Sequence, residues 1–267
     1  MFKEVFRLIP DDKLHIYFCD VGQGDGIYVR TPDGLDILVD GGPDQKILSC
    51  LSEKMPLLDR KIEIIFLTHK QNDHLTGILA VLQKYEVGEL IDSADYSENN
   101  LTRIWYQYLK KYRVRIKTAQ SGMNITSSDG VSFSLLWPED NYFSSDPNEF
   151  STSFTLKYGN FYGLFTGDLS YDAQDLLLTK NQEGLQNLTL LKIPHHGSQK
   201  DLHTQFINHV SPRLAVISVG KNSYGHPGKK VLEFLESLHI KTFRTDQNGT
   251  IGIETDGKTF SVITEKP

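Results

Sequence analysis

The feature that most constrains this fold is a series of short apolar runs that each lead into an aspartate, a histidine or a glycine turn. The runs are LDILVD (35–40), IEIIFLT (62–68), FYGLFT (161–166), LTLLKI (188–193) and LAVISV (214–219). Their lengths and branched residues favour buried strands. Polar residues at strand ends converge on a sheet edge, where functional sites are usually built. Packing alone does not explain the pattern, so we expect a layered fold with a site at one edge.

Further strand-like and helix-like segments surround these runs, without an internal repeat or a linker. This order of elements predicts an α/β (α+β) chain in which two sheets pack together with helices outside them, as one domain over residues 1–267. The other predicted strands are 15–20, 26–30, 131–137, 153–158, 250–254 and 259–263. The predicted helices are 45–54, 75–85, 99–111, 202–209 and 229–238.

Composition excludes several classes of protein. The 267 residues are 39% hydrophobic, which excludes a natively disordered chain. A net charge of −6 argues against a protein held on nucleic acid mainly by bulk positive charge. No apolar run is long enough to cross a bilayer, and the N-terminal segment does not resemble a secretory signal. Two cysteines cannot form a disulfide framework and suit a reducing compartment or a fold indifferent to redox, so a cytoplasmic location is expected.

The segment LTHKQNDHLTG is the strongest local signal for chemistry. It places His69, Asp73 and His74 in a short loop between a buried strand and a helix. Imidazole nitrogen and carboxylate oxygen together are ligands that Zn²⁺, Fe and Mn²⁺ accept. The alternative is that Asp73 caps the helix and the histidines are incidental.

Other strand ends carry similar residues. Asp168 lies in FTGDLS, His195 and His196 lie in KIPHHGS, His226 lies in SYGHPG, and Asp40 lies in ILVDGG. The remaining histidines have no such setting and are expected to be core or surface residues; they are His15, His203, His209 and His239.

In their order and spacing, DVGQGD, LVDGG, THxxxDH, TGD, PHHGS and YGHP resemble the metallo-β-lactamase-fold hydrolases. More narrowly, they are similar to the hydrolase-like domain of the ComEC family of DNA-uptake proteins. The resemblance runs from about residue 15 to residue 226. It implies a four-layer αββα sandwich with the metal site at one edge.

The resemblance also implies roles for individual residues. It assigns His69, Asp73 and His74 to the metal loop and Asp168 to a metal-bridging position. His195 takes the last ligand position, with His196 as the alternative because the HH pair leaves the register open. Asp40 would be a buried residue that contacts a metal ligand and orients it, without binding the metal itself. His226 would line the pocket, bind metal or protonate a leaving group, and catalysis would rest on Asp73, Asp168 and His226.

The sequence departs from the family pattern at two places. Gln71 stands where the usual HxHxDH loop has a histidine and ComEC-like members often have an aspartate, and no histidine occurs between His74 and His195. Gln71 would offer at best a neutral carbonyl beside the site. We therefore expect one firm metal and one weak or substrate-completed metal, with Zn²⁺ and Mn²⁺ both suitable.

Substrate contacts are less defined. Asp20, Gln23 and Asp25 lie on a glycine-rich loop that either reaches the pocket rim or only makes a tight hairpin. Lys192 and Lys200 flank PHHGS and could touch a phosphate. The basic segment KKYRVRIK (110–117), with aromatic residues nearby, suits either a stacking surface with phosphate contacts or a charged edge strand, and the edge strand is favoured.

The leading hypothesis is a metal-dependent phosphodiesterase, a nuclease acting on DNA or a related nucleic acid through a metal-activated water. The first alternative is a hydrolase of a small phosphodiester of the phosphocholine or cyclic-nucleotide type. The second is a degenerate metal- or nucleic-acid-binding regulatory protein. No membrane partner is expected, and the sequence leaves the oligomeric state open.

Overall fold

The computed structural model describes residues 11–95, 98–181 and 184–267, and in these ranges two sheets pack face to face. The first sheet has the strand order β15-β14-β1-β2-β3-β4-β5-β6, and the second has the order β13-β12-β11-β10-β9-β8-β7. The strands are β1 Leu14–Phe18, β2 Ile27–Arg30, β3 Asp36–Val39, β4 Lys61–Phe66, β5 Glu86–Asp92, β6 Arg115–Thr118, β7 Asn124–Thr126, β8 Ser132–Trp137, β9 Ser153–Tyr158, β10 Phe161–Phe165, β11 Leu190–Lys192, β12 Leu214–Ile217, β13 Lys241–Arg244, β14 Ile251–Thr255 and β15 Phe260–Thr264.

Helices cover the outer faces of both sheets. They are α1 Lys46–Lys54, α2 Asn72–Val81, α3 Asn100–Tyr112, α4 Tyr171–Lys180, α5 Thr204–Val210, α6 Lys229–Ser237 and the short α7 Thr245–Asn248. Two further turns are 3-10 helices, Pro147–Phe150 and Pro194–Gly197. No helix within the described ranges combines the length and the apolar composition needed to cross a bilayer.

Three apolar layers hold the four layers of secondary structure together. The central layer lies between the sheets and includes the stacked rings of Phe66, Phe154 and Phe165. A second layer packs the first sheet against helices through Trp105 and its neighbours, and a third packs the second sheet against helices around Phe206. The predicted αββα sandwich is therefore confirmed. The assignment of residues 1–267 to one domain stays a prediction, since residues 1–10 lie outside the description.

Parallel pairing within each sheet explains where the site forms. The pairs β3–β4, β4–β5 and β5–β6 are parallel in the first sheet, as are β10–β11, β11–β12 and β12–β13 in the second. Because the carboxyl ends of parallel strands meet at one edge, the segments that follow them converge there. The sequence did not predict β5, β7 and β13, which are short, charged or partly exposed, whereas β6 falls largely within the segment 110–117 that was favoured as an edge strand.

The basic segment 110–117 does not form one extended face. Its first three residues end α3, Arg113 turns the chain in the left-handed region (φ 53°), and only Arg115–Thr118 is a strand. That strand, β6, is the edge of its sheet, as the favoured interpretation required. Trp105 is fully buried in the core, so the predicted stacking surface loses its largest ring.

Cys19 and Cys50 form a disulfide between the end of β1 and α1, with a Cα–Cα distance of 5.9 Å. Disulfides persist mainly in oxidising compartments, so the bond does not fit the first expectation, a reducing compartment, while the second, a fold indifferent to redox, stays a prediction. The sequence could not reveal the bond, because only the fold shows whether two cysteines 31 positions apart come close together. The cytoplasmic location stays a prediction.

Candidate metal centre

The loop between β4 and α2 delivers two histidines and an aspartate to the edge of the sheet. His69 and His74 are fully buried, and Asp73 lies in the first turn of α2. Asp73 does not cap this helix: the N-cap position is Gln71, and it makes no side-chain capping bond. The alternative in which Asp73 serves only as a cap is therefore wrong.

The PHHGS segment delivers a third histidine from the second sheet. After β11, His195 (φ 47°, ψ 50°) and His196 (φ 52°, ψ 23°) both adopt left-handed backbone conformations inside the turn Pro194–Gly197. Such conformations are unfavourable for residues with a Cβ and are concentrated at functional sites. The turn buries His196, while His195 stays partly exposed.

Four of the predicted residues form a compact cluster: Asp73, His74, Asp168 and His196 each place one ligand atom within 4.8 Å of the others. His196 Nε2 lies 3.2 Å from Asp168 Oδ2 and 3.4 Å from Asp73 Oδ2. His74 Nε2 lies 3.3 Å from the same Asp168 oxygen. Asp168 thus lies between both histidines, as a bridging residue would.

Each buried histidine is held by its Nδ1 atom. His74 Nδ1 lies 2.7 Å from Asp40 Oδ2, and His196 Nδ1 donates to the carbonyl of Ser218 at 2.8 Å. Asp40 is itself fixed by the Thr68 backbone and hydroxyl groups at 2.8 and 2.7 Å. Because the Thr68 hydroxyl donates to Asp40, it accepts from His69 Nδ1, 3.1 Å away. This anchoring turns every Nε2 atom towards the cluster, which is the usual arrangement around a metal ligand.

The cluster leaves buried polar atoms without hydrogen-bond partners. They include the Nε2 atoms of His69, His74 and His196 and Oδ1 of Asp168. Buried polar groups are normally satisfied, so several orphans that share one small space indicate a missing ligand. Imidazole nitrogens and carboxylate oxygens of this kind fit a divalent cation.

Charge supports the same interpretation. Burial opposes protonation of His196, but Asp168 and Asp73 outweigh burial and raise its pKa to about 9. Burial also opposes protonation of His74, yet Asp168 and Asp40 raise its pKa well above the usual value. Despite its burial, Asp168 has a pKa far below its usual range because both histidines favour the carboxylate. The site therefore attracts positive charge, which protons supply when no metal is bound.

His69 differs from its two neighbours. Burial, together with the charge of His74, lowers its pKa well below the usual value. Its ring centre lies 4.1 Å from that of His74. A neutral imidazole keeps its Nε2 lone pair, so His69 suits a second, weaker metal position beside the four-residue cluster.

Lys192 and Asp25 lie beneath the site, not at its rim. Lys192 Nζ is fully buried, 2.5 Å from Asp25 Oδ2 and 3.6 Å from Asp168 Oδ1. A buried ammonium paired in this way cannot reach a phosphate in the cleft, so the predicted substrate contact is wrong for Lys192 and for the equally buried Asp25. A second set of residues that could hold a metal consists of Asp25, Asp40 and His74. The Lys192 ammonium group already pairs with Asp25 of this set.

His195 and His226 lie at the open side of the cluster. His195 Nδ1 is 2.7 Å from Asp201 Oδ2, and its Nε2 atom is 3.7 Å from Asp168 Oδ2. The His226 ring centre lies 5.5 Å from that of His195. Burial, followed by the charges of His195 and His196, lowers the pKa of His226, which keeps it neutral near pH 7.

The remaining predicted residues lie outside the cluster. Gln71 donates to Asn148 Oδ1 at 2.8 Å, and Lys200 is exposed. Asp20 pairs with Lys266 at 3.4 Å, whereas Gln23 lines a cleft of about 520 Å³ that reaches Asp73.

Sequence reasoning missed several residues at this site. Ser151 Oγ accepts from the Asp168 backbone at 3.0 Å, and Asp201 orients His195. Lys46, Lys221 and Tyr224 line the cleft with Gln23 and Asp73. Tyr224 lies within the SYGHPG motif and Asp201 lies six residues after His195, so proximity in the sequence was the available signal for these two. Lys46 and Ser151 come from segments that no motif marks.

Comparison with known proteins assigns the family. The sequence profile of the metallo-β-lactamase superfamily matches residues 19–221, more than half of the chain. The chain belongs to the metallo-β-lactamase superfamily of hydrolases.

Two curated relatives sharpen this assignment. ComE operon protein 3 of Bacillus subtilis is 30% identical over 266 residues, covering 91% of this chain and 33% of the relative. Competence protein ComA of Neisseria gonorrhoeae is 27% identical over 248 residues, covering 91% of this chain and 32% of the relative. The predicted resemblance to ComEC-like domains is confirmed, and the chain spans about a third of the length of these relatives.

Several solved structures share the fold at low identity. A metal-dependent hydrolase of the β-lactamase superfamily gives a TM-score of 0.58 at 12% identity, covering 91% of this chain and 99% of that chain. CmlA, a diiron β-hydroxylase from Streptomyces venezuelae, gives 0.58 at 13% identity, covering 96% and 55%. A long-form RNase Z from yeast gives 0.51 at 14% identity, covering 80% and 38%. These similarities show the fold alone, which supports different reactions.

Proposed function

We propose that this chain is a metal-dependent phosphodiesterase that hydrolyses nucleic acid. The observation that carries the proposal is the cluster of Asp73, His74, Asp168 and His196, whose imidazoles are anchored from behind and whose Nε2 atoms lack partners. Similarity to competence proteins supports a nucleic-acid substrate. The partnerless atoms support binding of a metal, and turnover of a substrate is what separates this proposal from the degenerate-protein alternative.

The four cluster residues would hold one divalent cation, and His69 with Asp168 would contribute to a second, weaker position. Zn²⁺ and Mn²⁺ both suit this donor set. When bound, such a cation lowers the pKa of water and neutralises charge that develops on phosphoryl oxygens.

The protein's own residues prepare the site for this reaction. Asp40 fixes the His74 ring, and the Ser218 carbonyl fixes the His196 ring, so neither ring must reorganise when substrate binds. Asp201 holds the Nδ1 proton of His195, which leaves Nε2 facing the open side of the cluster. His195 is therefore placed to hold a proton for the leaving oxygen. His226, neutral near pH 7, would line the pocket beside it.

The test is cleavage of single-stranded and duplex DNA and of bis(p-nitrophenyl) phosphate after loading the protein with Mn²⁺ or Zn²⁺. Asp168→Asn removes the bridging charge with little change in shape, and we expect it to lower the rate at least about 1,000-fold. Asp172→Asn, on the exposed first turn of α4, is the matched control and should retain nearly full activity.

Different outcomes separate the functional alternatives. Turnover of the small diester without cleavage of DNA would favour a small-phosphodiester hydrolase. Metal binding without turnover of any diester would contradict the proposal.

A further inference from the structure

A cleft of about 520 Å³ begins at Asp73 and runs along the loop Val21–Gln23 to the turn around Tyr224. The glycine-rich loop touches the metal cluster directly, because Asp25 N donates to the Asp73 carbonyl at 3.2 Å. Asp73 both lines the cleft and belongs to the cluster, so the cleft adjoins the candidate metal centre. Its volume is in the range of ligand-binding clefts.

Two lysines line this cleft from opposite sides of the same loop. Lys46 Nζ lies 3.2 Å from the place where a Cβ on Gly22 would be. Lys221 follows Gly220. The backbone of Gly220 packs so closely against Gly22 that a Cβ at Gly220 would clash with it. Lys46 has only Asp44 nearby, at 4.0 Å, and Lys221 forms no ion pair with any residue in the described ranges. Both ammonium groups are thus available to an anionic ligand.

An aromatic side chain completes the cleft. Tyr224 is 74% exposed, and its ring stacks on that of His226 with centres 5.8 Å apart. Asn222 Oδ1 accepts from the backbone N–H groups of Tyr224, Gly225 and His226, each at 3.0 Å. Three hydrogen bonds thus hold the turn, and most of the Tyr224 side chain is exposed to solvent. An exposed ring on a fixed turn suits a planar group, such as an unpaired base.

We infer that this cleft is a subsite for single-stranded nucleic acid, in which Lys46 and Lys221 bind a phosphate next to the scissile one and Tyr224 stacks on the adjoining base. The inference rests on the proposed function, because Asp73 connects the cleft to the metal centre. It also selects the substrate: a chain with several phosphates fills the cleft, and a small diester does not. Base stacking on one exposed ring requires a strand that is not paired.

Binding and turnover are measured separately on the full chain. Fluorescence anisotropy of a labelled 12-nucleotide oligothymidylate in EDTA reports binding without cleavage. We expect Lys46→Ala and Lys221→Ala to weaken binding about five- to tenfold and to reduce the slope of log K against log salt by about 0.7 each. Tyr224→Ala should weaken binding about tenfold, whereas Tyr224→Phe should stay within about twofold of wild type.

Kinetics with Mn²⁺ distinguish a subsite from the reaction centre. The lysine variants should raise KM for the oligonucleotide about tenfold and leave hydrolysis of bis(p-nitrophenyl) phosphate within about twofold. Lys258→Ala, in the hairpin between β14 and β15, is the matched control for loss of one surface charge and should leave both substrates unaffected.

The inference and the proposed function fail in different ways. Wild-type affinity in all cleft variants, no affinity of the wild type for oligothymidylate, or an equal loss of small-diester activity would overturn the subsite. Binding that depends on the lysines in a protein that hydrolyses no diester would overturn the phosphodiesterase and leave the subsite standing.

Discussion

Two adjacent histidines with different surroundings illustrate how single residues acquire their roles. His196 is buried, donates from Nδ1 to a carbonyl and directs Nε2 at two carboxylates. His195 is partly exposed and shares its Nδ1 proton with Asp201. Identical side chains at neighbouring positions thus suit a metal ligand and a proton carrier. The family resemblance left this choice open, and the geometry favours His196 as the ligand.

Substitution of each histidine separates the two roles. We expect His196→Ala to lower metal content by about one ion per chain, because it removes one of four donors and leaves two carboxylates without their partner. His195→Ala should keep that ion and lower kcat about 100-fold, the usual contribution of a positioned proton carrier. Metal analysis of the purified variants, paired with rates on DNA, measures both effects. Full metal content in His196→Ala would reverse the assignment.

At the scale of single elements, the loop after β1 depends on Gly24. This residue has φ +138°, and a Cβ there would lie 2.1 Å from the carbonyl oxygen of Asp73. Only glycine permits the loop to lie so close to the first turn of α2. The loop thus supports a metal ligand by contact with its backbone.

Gly24→Ala is therefore expected to destabilise the protein by about 2–4 kcal/mol and to weaken metal binding, because the backbone of Asp73 must move. The matched control is Gly122→Ala. Gly122 also has a positive φ, +86°, but nothing lies within 4 Å of its added Cβ. Thermal unfolding and metal titration of both variants separate backbone strain from the clash. Equal metal affinity in the two variants would contradict the supporting role of the loop.

The Cys19–Cys50 disulfide connects β1 to α1 across 31 residues. A cross-link of that span stabilises the folded state by about 3.5 kcal/mol in the chain-entropy model. We expect a reductant to lower the melting temperature of the wild type. The double variant Cys19→Ala/Cys50→Ala should melt at a lower temperature with or without reductant. A wild-type melting temperature that reductant does not change would argue against this contribution.

At the scale of the whole molecule, the two sheets bring opposite charges into one buried place. The first sheet contributes Asp40, Asp73 and His74, and the second contributes Asp168 and His196. The two protonated histidines come one from each sheet, and both lie against Asp168 of the second sheet. The site therefore exists only when the two sheets are packed together. The raised pKa values of His74 and His196 depend on the same packing.

Metal binding should depend steeply on pH. The pKa of His196 is raised to about 9 and that of His74 is also raised, so both carry protons at pH 7 in the metal-free protein. A metal must displace these protons, and apparent affinity should rise about tenfold per pH unit for each proton released, up to about pH 9. Calorimetry in buffers of different ionisation enthalpy counts the protons.

The stability of the metal-free protein should have the opposite dependence on pH. Raised histidine pKa values stabilise the folded state fully below the unfolded value of about 6.5. That contribution is lost as pH rises through the folded value of about 9 for His196. Urea unfolding in EDTA at pH 6.5 and pH 9 measures this difference in the free energy of unfolding.

In the metal titration, an affinity that is the same at pH 6.5 and pH 9 would show that the histidines are not protonated in the metal-free protein.

The sequence by itself determined the layered fold and most of the residues at its site. Runs such as IEIIFLT and LAVISV are apolar enough to specify strands, and the polar residues that follow them had to meet where parallel strands end. Thus Asp73, His74 and Asp168 could be named from local patterns. Strands such as β5 and β13 could not, because short segments that carry charged residues become strands only through pairing with a neighbour.

Tertiary structure decided every property that depends on residues far apart in the chain. It buried His196 and left His195 partly exposed, with His196 Nδ1 donating to the carbonyl of Ser218 after β12. It also buried Lys192 against Asp25 and joined Cys19 to Cys50. It also gathered Lys46, Lys221 and Tyr224 around one loop. Local patterns record which side chains prefer water or a core. Burial, pKa and access to a ligand depend on which distant groups the packed sheets bring within a few ångströms.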